Sequence, residues 1–320
     1  MIVHCNDYTA AVEATALRKG GLSMGNAIII LAGATGNLGR RIAKALLERG
    51  AKVRALVRRS SGLDKVDELR KLGAEIAEVD FNNVHELTRA CADGNCVISA
   101  LSGLRDVIVD TQTLLLDAAV KAGVPRFIPS DFSIDFTKLR PGTNRNLDLR
   151  REFHERLDKA PISATSIFNG MFTDLLIGQA PIILFKLKRV VYWGDPDQLL
   201  DFTTMDNTAE FTALAALDPS TPRFLRIAGD QVSARGLVEV ASQVTGEKFR
   251  LFRAGGLRRL DTLIKVTRAI FPQRSAVYPP WQGMQYLYNM FSGQAKLEPL
   301  DNNRYPGIRW TKVRDVLTAR

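Results

Sequence analysis

The sequence contains few cysteines and lacks long apolar runs. Its 320 residues include only three cysteines, Cys5, Cys91 and Cys96, which are scattered and odd in number. A disulfide framework is therefore not expected. This usage is typical of a reducing compartment, so we predict a cytoplasmic protein. No run of about 18 uncharged apolar residues occurs, and the sequence predicts no membrane span.

Patterns for a metal site and for a hydrolase are also missing. Cys91 and Cys96, with His85 upstream, do not have the paired spacing of zinc ligands, so we predict no metal site. The chain has no serine nucleophile elbow, which argues against a serine hydrolase.

The first 25 residues lack the features of a signal peptide. Such a peptide needs a basic start and an apolar stretch of roughly 7–15 residues, whereas Asp7, Glu13 and Lys19 interrupt this segment. We interpret residues 1–25 as a disordered leader, or as the product of an upstream start codon with Met24 as the natural first residue.

Acidic residues are fewer than basic ones. With 44 Lys and Arg against 34 Asp and Glu, the formal charge is +10, which favours nucleic acid, a membrane surface or a phosphorylated ligand as partner. A basic amphipathic helix is predicted over Leu257–Phe271, where it could cover its own core or bind an acidic surface. An anionic dinucleotide needs only a few of these charges. We expect a small-molecule substrate, no nucleic acid, and a protein partner only if the protein is regulatory; the oligomeric state is open.

What the sequence does contain, from residue 26 onward, is an alternation of short apolar runs and amphipathic stretches, the pattern of βαβ units. A buried strand over Ala27–Ala32 precedes a glycine-rich loop and a helix over Asn37–Arg49. Further strands are predicted over Lys52–Val57, Glu75–Val79, Cys96–Leu101, Arg126–Pro129 and Ile162–Phe168. The predicted fold class is α/β, with a doubly wound parallel sheet of the Rossmann type.

The same pattern divides the chain near residue 168. Residues 26–168 form the predicted NAD(P)-binding Rossmann domain. In residues 169–320 the alternation weakens, and we expect a smaller mixed part that covers the substrate and returns strands to the main sheet. Its aromatic residues, among them Trp281, Tyr286 and Trp310, suit a lid over a mostly apolar pocket.

The loop after the first strand has the spacing G-x-x-G-x-x-G. Gly33 allows a tight turn, Gly36 lets backbone amides approach a pyrophosphate, and Gly39 allows close packing of helix against strand. The start of the helix adds partial positive charge. The residues assigned to the phosphates of a dinucleotide are Gly33, Thr35, Gly36, Asn37, Leu38 and Gly39.

The residues after the second strand predict which dinucleotide binds. A site for NAD usually places Asp or Glu here to bind the ribose hydroxyls, but this chain has Arg58, Arg59 and Ser60. A guanidinium donates bidentate hydrogen bonds to a phosphate and offers no acceptor to a hydroxyl. We predict NADP(H), with Arg58 as the main ligand of the 2′-phosphate and Arg59, Ser60 and Lys65 as helpers. The alternative is that both arginines are ordinary surface charges.

Residues at the carboxyl ends of the other strands should contact the rest of the cofactor, because ligands of open parallel sheets bind at that edge. The predicted contacts are Asp80 and Phe81 at the adenine, Leu101 and Ser102 on the route to the nicotinamide, and Ser130 and Asn169 at the nicotinamide or substrate.

Three segments together resemble a known family. They are Ala32–Gly39, Ala55–Arg58 and Ala122–Phe132, the last of which holds the most specific element, Phe-Ile-Pro-Ser-Asp-Phe. They resemble the NmrA-like proteins, an atypical short-chain dehydrogenase/reductase branch that contains the isoflavone-reductase-like enzymes. The resemblance covers residues 26–175 well and the rest loosely. It implies NADPH-dependent reduction in some members and nucleotide-sensing regulation without catalysis in others.

One position departs from the pattern of this family. The resemblance implies a catalytic lysine on the helix after the serine-acid-phenylalanine turn, but Arg150 stands there, and the Tyr-x-x-x-Lys pair of typical short-chain dehydrogenases is missing after Ser130. Arginine keeps its proton to about pH 12, so it would orient a substrate or stabilise an oxyanion. His154 lies one turn later on the same face, where it could supply a proton or have only a structural role. Ser130, Arg150 and His154 are the predicted catalytic residues.

Two functions remain open at this point. One is an NADP(H)-dependent oxidoreductase that reduces a small apolar carbonyl, enone or quinone. The other is a non-catalytic NADP(H) sensor that binds a protein partner, which the replacement of the lysine by Arg150 favours. The aromatic second half, read as a substrate cover, favours the enzyme. An epimerase or dehydratase is disfavoured because the tyrosine base is missing.

Overall fold

A computed structural model describes residues 27–320, so the predicted leader, residues 1–25, lies outside the described residues. The strands of the first half are β1 (Ile28–Ala32), β2 (Lys52–Val57), β3 (Glu75–Glu78), β4 (Cys96–Ser99), β5 (Arg126–Ile128) and β6 (Ser163–Ala164). They form one parallel sheet in the order β3-β2-β1-β4-β5-β6. The predicted doubly wound parallel sheet is confirmed.

Helices connect these strands across both faces of the sheet. They are α1 (Asn37–Leu47), α2 (Leu63–Leu72), α3 (Val84–Cys91), α4 (Gln112–Lys121) and α5 (Arg145–Leu157). A π-helical segment over Asp106–Thr111 leads into α4. Because the strand order reverses between β1 and β4, the carboxyl ends of these two strands border a crevice, which is where ligands of this fold bind.

The central strand is apolar throughout because both faces of the sheet are covered. Ile29 and Leu31 of β1 belong to the same core as Ile42 of α1. Ile30 points to the opposite face and packs in a second core with Leu116 of α4. Such continuous apolar runs are typical of parallel strands buried on both sides.

The rest of the chain forms three small sheets beside the six-stranded one. Its strands are β7 (Ser166–Phe168), β8 (Met171–Phe172), β9 (Ile183–Leu184), β10 (Arg189–Trp193), β11 (Leu200–Thr203), β12 (Phe224–Arg226), β13 (Asp230–Val232) and β14 (Arg250–Gly255). β7 directly follows β6 and pairs in parallel with β12, while β13-β11-β8 and β14-β10-β9 form separate three-stranded sheets.

Five further helices lie in this half. They are α6 (Met205–Leu217), α7 (Ala234–Thr245), α8 (Leu257–Ile270), α9 (Pro280–Phe291) and α10 (Val313–Thr318). The basic helix predicted over Leu257–Phe271 corresponds to α8. No helix within residues 27–320 combines the length and the apolar character needed to cross a bilayer.

A buried arginine joins the two halves. Arg126 of β5 is only 8% exposed and donates to the carbonyls of Ala215 and Ala216, at 2.8 and 3.0 Å. These carbonyls belong to the last turn of α6, where helical carbonyls lack partners within the helix. Arg126 therefore caps α6 and fixes it to the main sheet.

Candidate functional site

The glycine loop is packed so closely that side chains would not fit at two of its positions. Gly33 has φ +81°, and a Cβ there would lie 2.5 Å from the carbonyl oxygen of Ala100. A Cβ on Gly39 would lie 2.1 Å from the carbonyl oxygen of Gly33. The helix that follows, α1, begins at Asn37 without a side-chain cap, so its first N–H groups remain available to an anion.

Two arginines follow β2 and have different surroundings. The guanidinium of Arg58 is exposed and lies 5.9 Å from the ring centre of Phe81, which is itself buried. Within residues 27–320, Arg58 has no carboxylate within 4.0 Å. Arg59 instead pairs with Glu86 at 3.0 Å, and Glu86 also accepts the N–H of Asp80 at 2.9 Å. Arg58 is thus available to a ligand, whereas Arg59 is engaged.

The helpers predicted around these arginines are solvent-accessible. Ser60 and Lys65 are both exposed, one before and one inside the first turn of α2. The carboxylate of Asp80 accepts the N–H of Asn82 at 2.9 Å, which shapes the turn after β3.

Hydrogen bonds join the carboxyl ends of β4 and β5. The Ser130 hydroxyl donates to the carbonyl of Leu101 at 2.6 Å, so this hydroxyl is already engaged. The Nε of Arg150 donates to the carbonyl of Ser130 at 2.8 Å, and its Nη1 donates to the carbonyl of Asn146 at 2.9 Å. Arg150 is therefore held against the Ser130 turn, while Ser102 lies exposed beside Leu101.

Asn169 presents an unsatisfied amide at the same edge. It follows β7 and is fully buried, and neither its Oδ1 nor its Nδ2 has a hydrogen-bond partner within the described residues. Its backbone N–H donates to the carbonyl of Ser133 at 2.9 Å. Because an unpaired buried amide is costly, this position points to a polar ligand group or water.

His154 belongs to a buried polar network beneath the Ser130 turn. Its Nε2 lies 2.6 Å from Oδ2 of Asp131, which also accepts the hydroxyl of Ser166 at 2.6 Å. The rings of Phe136 and Phe224 flank the imidazole, with centroids 4.9 and 6.2 Å away. His154 thus faces Asp131 and two aromatic rings, one helical turn away from Arg150.

The charge of Asp131 is favoured despite its complete burial. Desolvation raises its pKa, but the contacts with His154 and Ser166, together with the charge of Arg150, hold the pKa below its ordinary value. The carboxylate is therefore an ionised centre that orients the groups around it.

A tyrosine from the second half reaches this region. The Tyr286 phenol on α9 lies near the side chains of Ser133 and Asn146 and close enough to Arg150 for their charges to interact. Burial raises the pKa of this phenol, and the Arg150 guanidinium counteracts that rise. Sequence analysis counted Tyr286 only among the aromatic residues of the predicted lid.

The other aromatic residues of the second half do not form one cover. Tyr305 and Trp310 pack against Phe211 of α6, at 5.0 and 6.1 Å between ring centres. Tyr278 is 62% exposed and Trp281 is buried. These residues therefore make separate contacts, and the lid predicted from the sequence remains a prediction.

Metal ligands do not gather in the part of the chain that the structure describes, since no group of three or more His, Cys, Asp or Glu side chains is suited to holding an ion. The features that remain are a glycine loop at the point where the strand order reverses, an unpaired arginine after β2 and a polar edge over β4, β5 and β7. They define a dinucleotide-binding protein of the Rossmann type.

A family model narrows this class. The model of the NmrA-like family matches residues 25–301. The chain therefore belongs to the NmrA-like family, and the resemblance inferred from its three motifs is confirmed.

The chain is similar over most of its length to proteins named as reductases. It is 26% identical to a bifunctional pinoresinol-lariciresinol reductase of Linum usitatissimum, covering 92% of this chain and 99% of the relative. It is 25% identical to pinoresinol reductase 1 of Arabidopsis thaliana, with coverage of 90% and 95%.

Solved structures share the fold. "AtPrR2 with NADP+ and (+)pinoresinol" has a TM-score of 0.78 at 23% identity, covering 92% of this chain and 98% of that chain. A leucoanthocyanidin reductase–NADPH complex from Vitis vinifera has a TM-score of 0.75 at 17% identity, with coverage of 91% and 98%. The predicted enzyme class, an NADP(H)-dependent reductase, agrees with these relatives, and they do not favour the sensor.

The buried network around Asp131 should make the free energy of unfolding of this protein depend on pH. We expect Asp131→Asn to lower the free energy of unfolding at pH 7 by about 2 kcal/mol, because it removes a charged acceptor from the buried contacts with His154 and Ser166. The folded-state pKa of Asp131 is lowered, so this stabilisation is present above the unfolded-state value of about 3.9 and is lost as pH falls below it. Urea unfolding between pH 7 and pH 3 measures the difference.

Asp117→Asn is the matched control, since Asp117 is exposed on α4. It should change the free energy of unfolding by less than about 0.5 kcal/mol. A difference between wild type and Asp131→Asn that stays constant down to pH 3 would contradict the assigned ionisation.

Proposed function

We propose that the protein is an NADP(H)-dependent reductase of a small, mostly apolar carbonyl, enone or quinone. The observation that carries the proposal is the guanidinium of Arg58, which lies at the carboxyl end of β2 over the ring of Phe81 and has no carboxylate partner among residues 27–320. A carboxylate at this place would bind ribose hydroxyls, whereas a guanidinium binds a 2′-phosphate.

The described residues fit the rest of such a cofactor. The close packing at Gly33 and Gly39 leaves a cradle that a Cβ would fill, and the uncapped start of α1 offers N–H donors to the pyrophosphate. Phe81 borders the adenine side. Neither amide atom of Asn169 has a hydrogen-bond partner among the described residues, so both are available to the nicotinamide or the substrate. When bound, NADPH supplies the hydride.

The positions of Arg150 and Tyr286 suggest how the acceptor is handled. Arg150 cannot donate a proton at neutral pH, but its fixed guanidinium can stabilise negative charge that develops on the substrate oxygen. We assign the proton to the Tyr286 phenol, which passes it to that oxygen and recovers it from solvent. Ser130 and His154 act as positioning residues, because the hydroxyl of Ser130 is engaged with Leu101 and His154 with Asp131.

The location of the enzyme is proposed from its thiols. Cys91 and Cys96 are free and buried, and burial raises the pKa of the two thiols, to about 12 and about 11. Such thiols fit a reducing compartment, and we propose the cytoplasm.

Cofactor choice is tested at Arg58. Arg58→Gln should weaken NADPH binding about 10- to 100-fold, because charge-assisted hydrogen bonds to the phosphate are lost, and should leave NADH binding unchanged. Calorimetry measures both affinities. Arg59→Gln is the control and should have a smaller effect, since Arg59 is paired with Glu86. Equal binding of NADH and NADPH by the wild type would overturn the assignment.

Reductase activity is tested by following NADPH absorbance with a panel of quinones, enones and aldehydes. Pinoresinol and lariciresinol belong in the panel because relatives are named for them. We expect oxidation of NADPH with at least one apolar acceptor and none with NADH at the same concentration. Tight NADPH binding without turnover on any acceptor would instead favour the sensor.

The proton donor is tested with Tyr286→Phe. This variant should lower kcat about 10²- to 10⁴-fold, the usual contribution of a positioned acid, while the NADPH dissociation constant measured by calorimetry stays unchanged. Tyr288→Phe, on another face of α9, is the control and should retain kcat. Wild-type kcat in Tyr286→Phe would show that the proton comes from another group.

A further inference from the structure

A second basic pocket lies away from the glycine loop. It is lined by Arg145, Arg268, Pro272, Arg274 and Trp281 and encloses about 310 Å³, a volume at the lower end of small-molecule sites. We name it the arginine pocket. It lies where the start of α5 meets the end of α8 and the start of α9.

The indole of Trp281 organises two of its three cations. The guanidinium carbons of Arg145 and Arg268 lie 4.7 and 5.1 Å from the ring centre, within the range of cation–π attraction. Trp281 is only 2% exposed, and its Nε1 donates to the carbonyl of Pro272 at 3.1 Å. The ring is therefore a fixed platform for both charges.

Hydrogen bonds also hold Arg145 in place, and they do not use all of its N–H donors. Its Nη2 donates to the carbonyls of Ala276 and Val277 at 3.0 and 2.8 Å, and its Nε donates to Oδ1 of Asn146 at 3.0 Å. None of these acceptors carries a charge. The Nη1 group makes no hydrogen bond within the described residues and remains available to a ligand.

The positive charges of the arginine pocket are not balanced by nearby carboxylates of the described residues. Within residues 27–320, no carboxylate lies within 4.0 Å of any of its three arginines. Burial and the charge of Arg268 lower the pKa of the Arg145 guanidinium, which reflects the cost of holding these like charges together. An anion between them would remove that cost.

Another basic pocket of the chain provides a contrast. Its volume is about 430 Å³, and it also contains several cations between α1 and α2. There Arg40 pairs with Glu68 at 2.5 Å and Arg41 with Asp206 at 2.7 Å. Both of its arginines are paired by the protein itself, whereas the three of the arginine pocket have no carboxylate partner among residues 27–320.

We propose that the arginine pocket is a second ligand site, for the phosphate or sulfate group of a small anionic molecule. Three guanidiniums match a tetrahedral dianion better than a carboxylate, because their planar forks donate paired hydrogen bonds to its oxygens. The site is separate from Arg58 and does not depend on the reductase assignment.

Calorimetric titration with inorganic phosphate and with sulfate, at constant ionic strength in chloride, tests the proposal. Both anions should bind saturably, and Arg268→Gln and Arg274→Gln should each weaken binding about tenfold. These side chains are exposed, so folding should be kept, which circular dichroism verifies. Repeating the titration on Arg58→Gln separates binding at the glycine loop from binding here.

Arg258→Gln is the matched control, because Arg258 is an exposed arginine at the other end of α8. It should bind phosphate like the wild type. The proposal is overturned if neither anion binds, if Arg258→Gln weakens binding as much as the pocket variants do, or if acetate binds as tightly as phosphate and sulfate.

Discussion

The site depends first on the approach of Gly39 to the carbonyl of Gly33. A side chain at Gly39 would overlap that carbonyl, at 2.1 Å, so only glycine allows α1 to begin this close to β1. The uncapped N–H groups of α1 are thereby directed over the crevice between β1 and β4. All parallel strands end at this same edge, which is why Arg58, Leu101 and Ser130, far apart in the sequence, surround one space.

Local signals predicted the strands of the main sheet well and missed several short strands of the second half. β2 occupies the predicted residues Lys52–Val57, because Val53, Ala55 and Val57 place apolar side chains at the period of two that is typical of a strand. β8 and β9 contain two residues each and have too little length for any periodicity. The formation of β8 depends on pairing with a distant strand, Met171 with Phe202, which no local pattern reveals. β9 pairs with the next strand, Ile183 with Val190.

The candidate site, too, could be predicted only in part from the sequence. Arg58 and Arg59 are equivalent in the sequence, but Glu86, which engages only Arg59, is contributed by another helix. His154 was placed correctly on the face of Arg150, yet Asp131 and Ser166 draw it into a buried network. In each case the side chain's identity could be read from the sequence, while its partner came from tertiary structure.

The contact between α9 and the start of α5 bears on Arg150, which stands where the resemblance implies a lysine. Amide side chains on one face of α9 bind the start of α5: Gln282 donates to Asn144 at 2.7 Å, and Gln285 accepts the N–H of Arg145 at 3.1 Å. Tyr286 lies on the same face as these residues, at the helical spacing of three to four. The docking that fixes α9 therefore also places the Tyr286 phenol near Arg150, which supports its proposed role as proton donor.

The basic residues behind the net charge of +10 have different roles. Many arginines serve the fold: Arg226 pairs with Asp135 and Arg304 with Asp218, each at 2.7 Å. Ion pairs of this kind neutralise charge inside the protein and leave little for a ligand. Arg58 and the arginines of the arginine pocket lack such partners within the described residues. Their positive charge is therefore available to a ligand. This contrast supports the proposal that Arg58 and the arginine pocket bind anions at two separate sites.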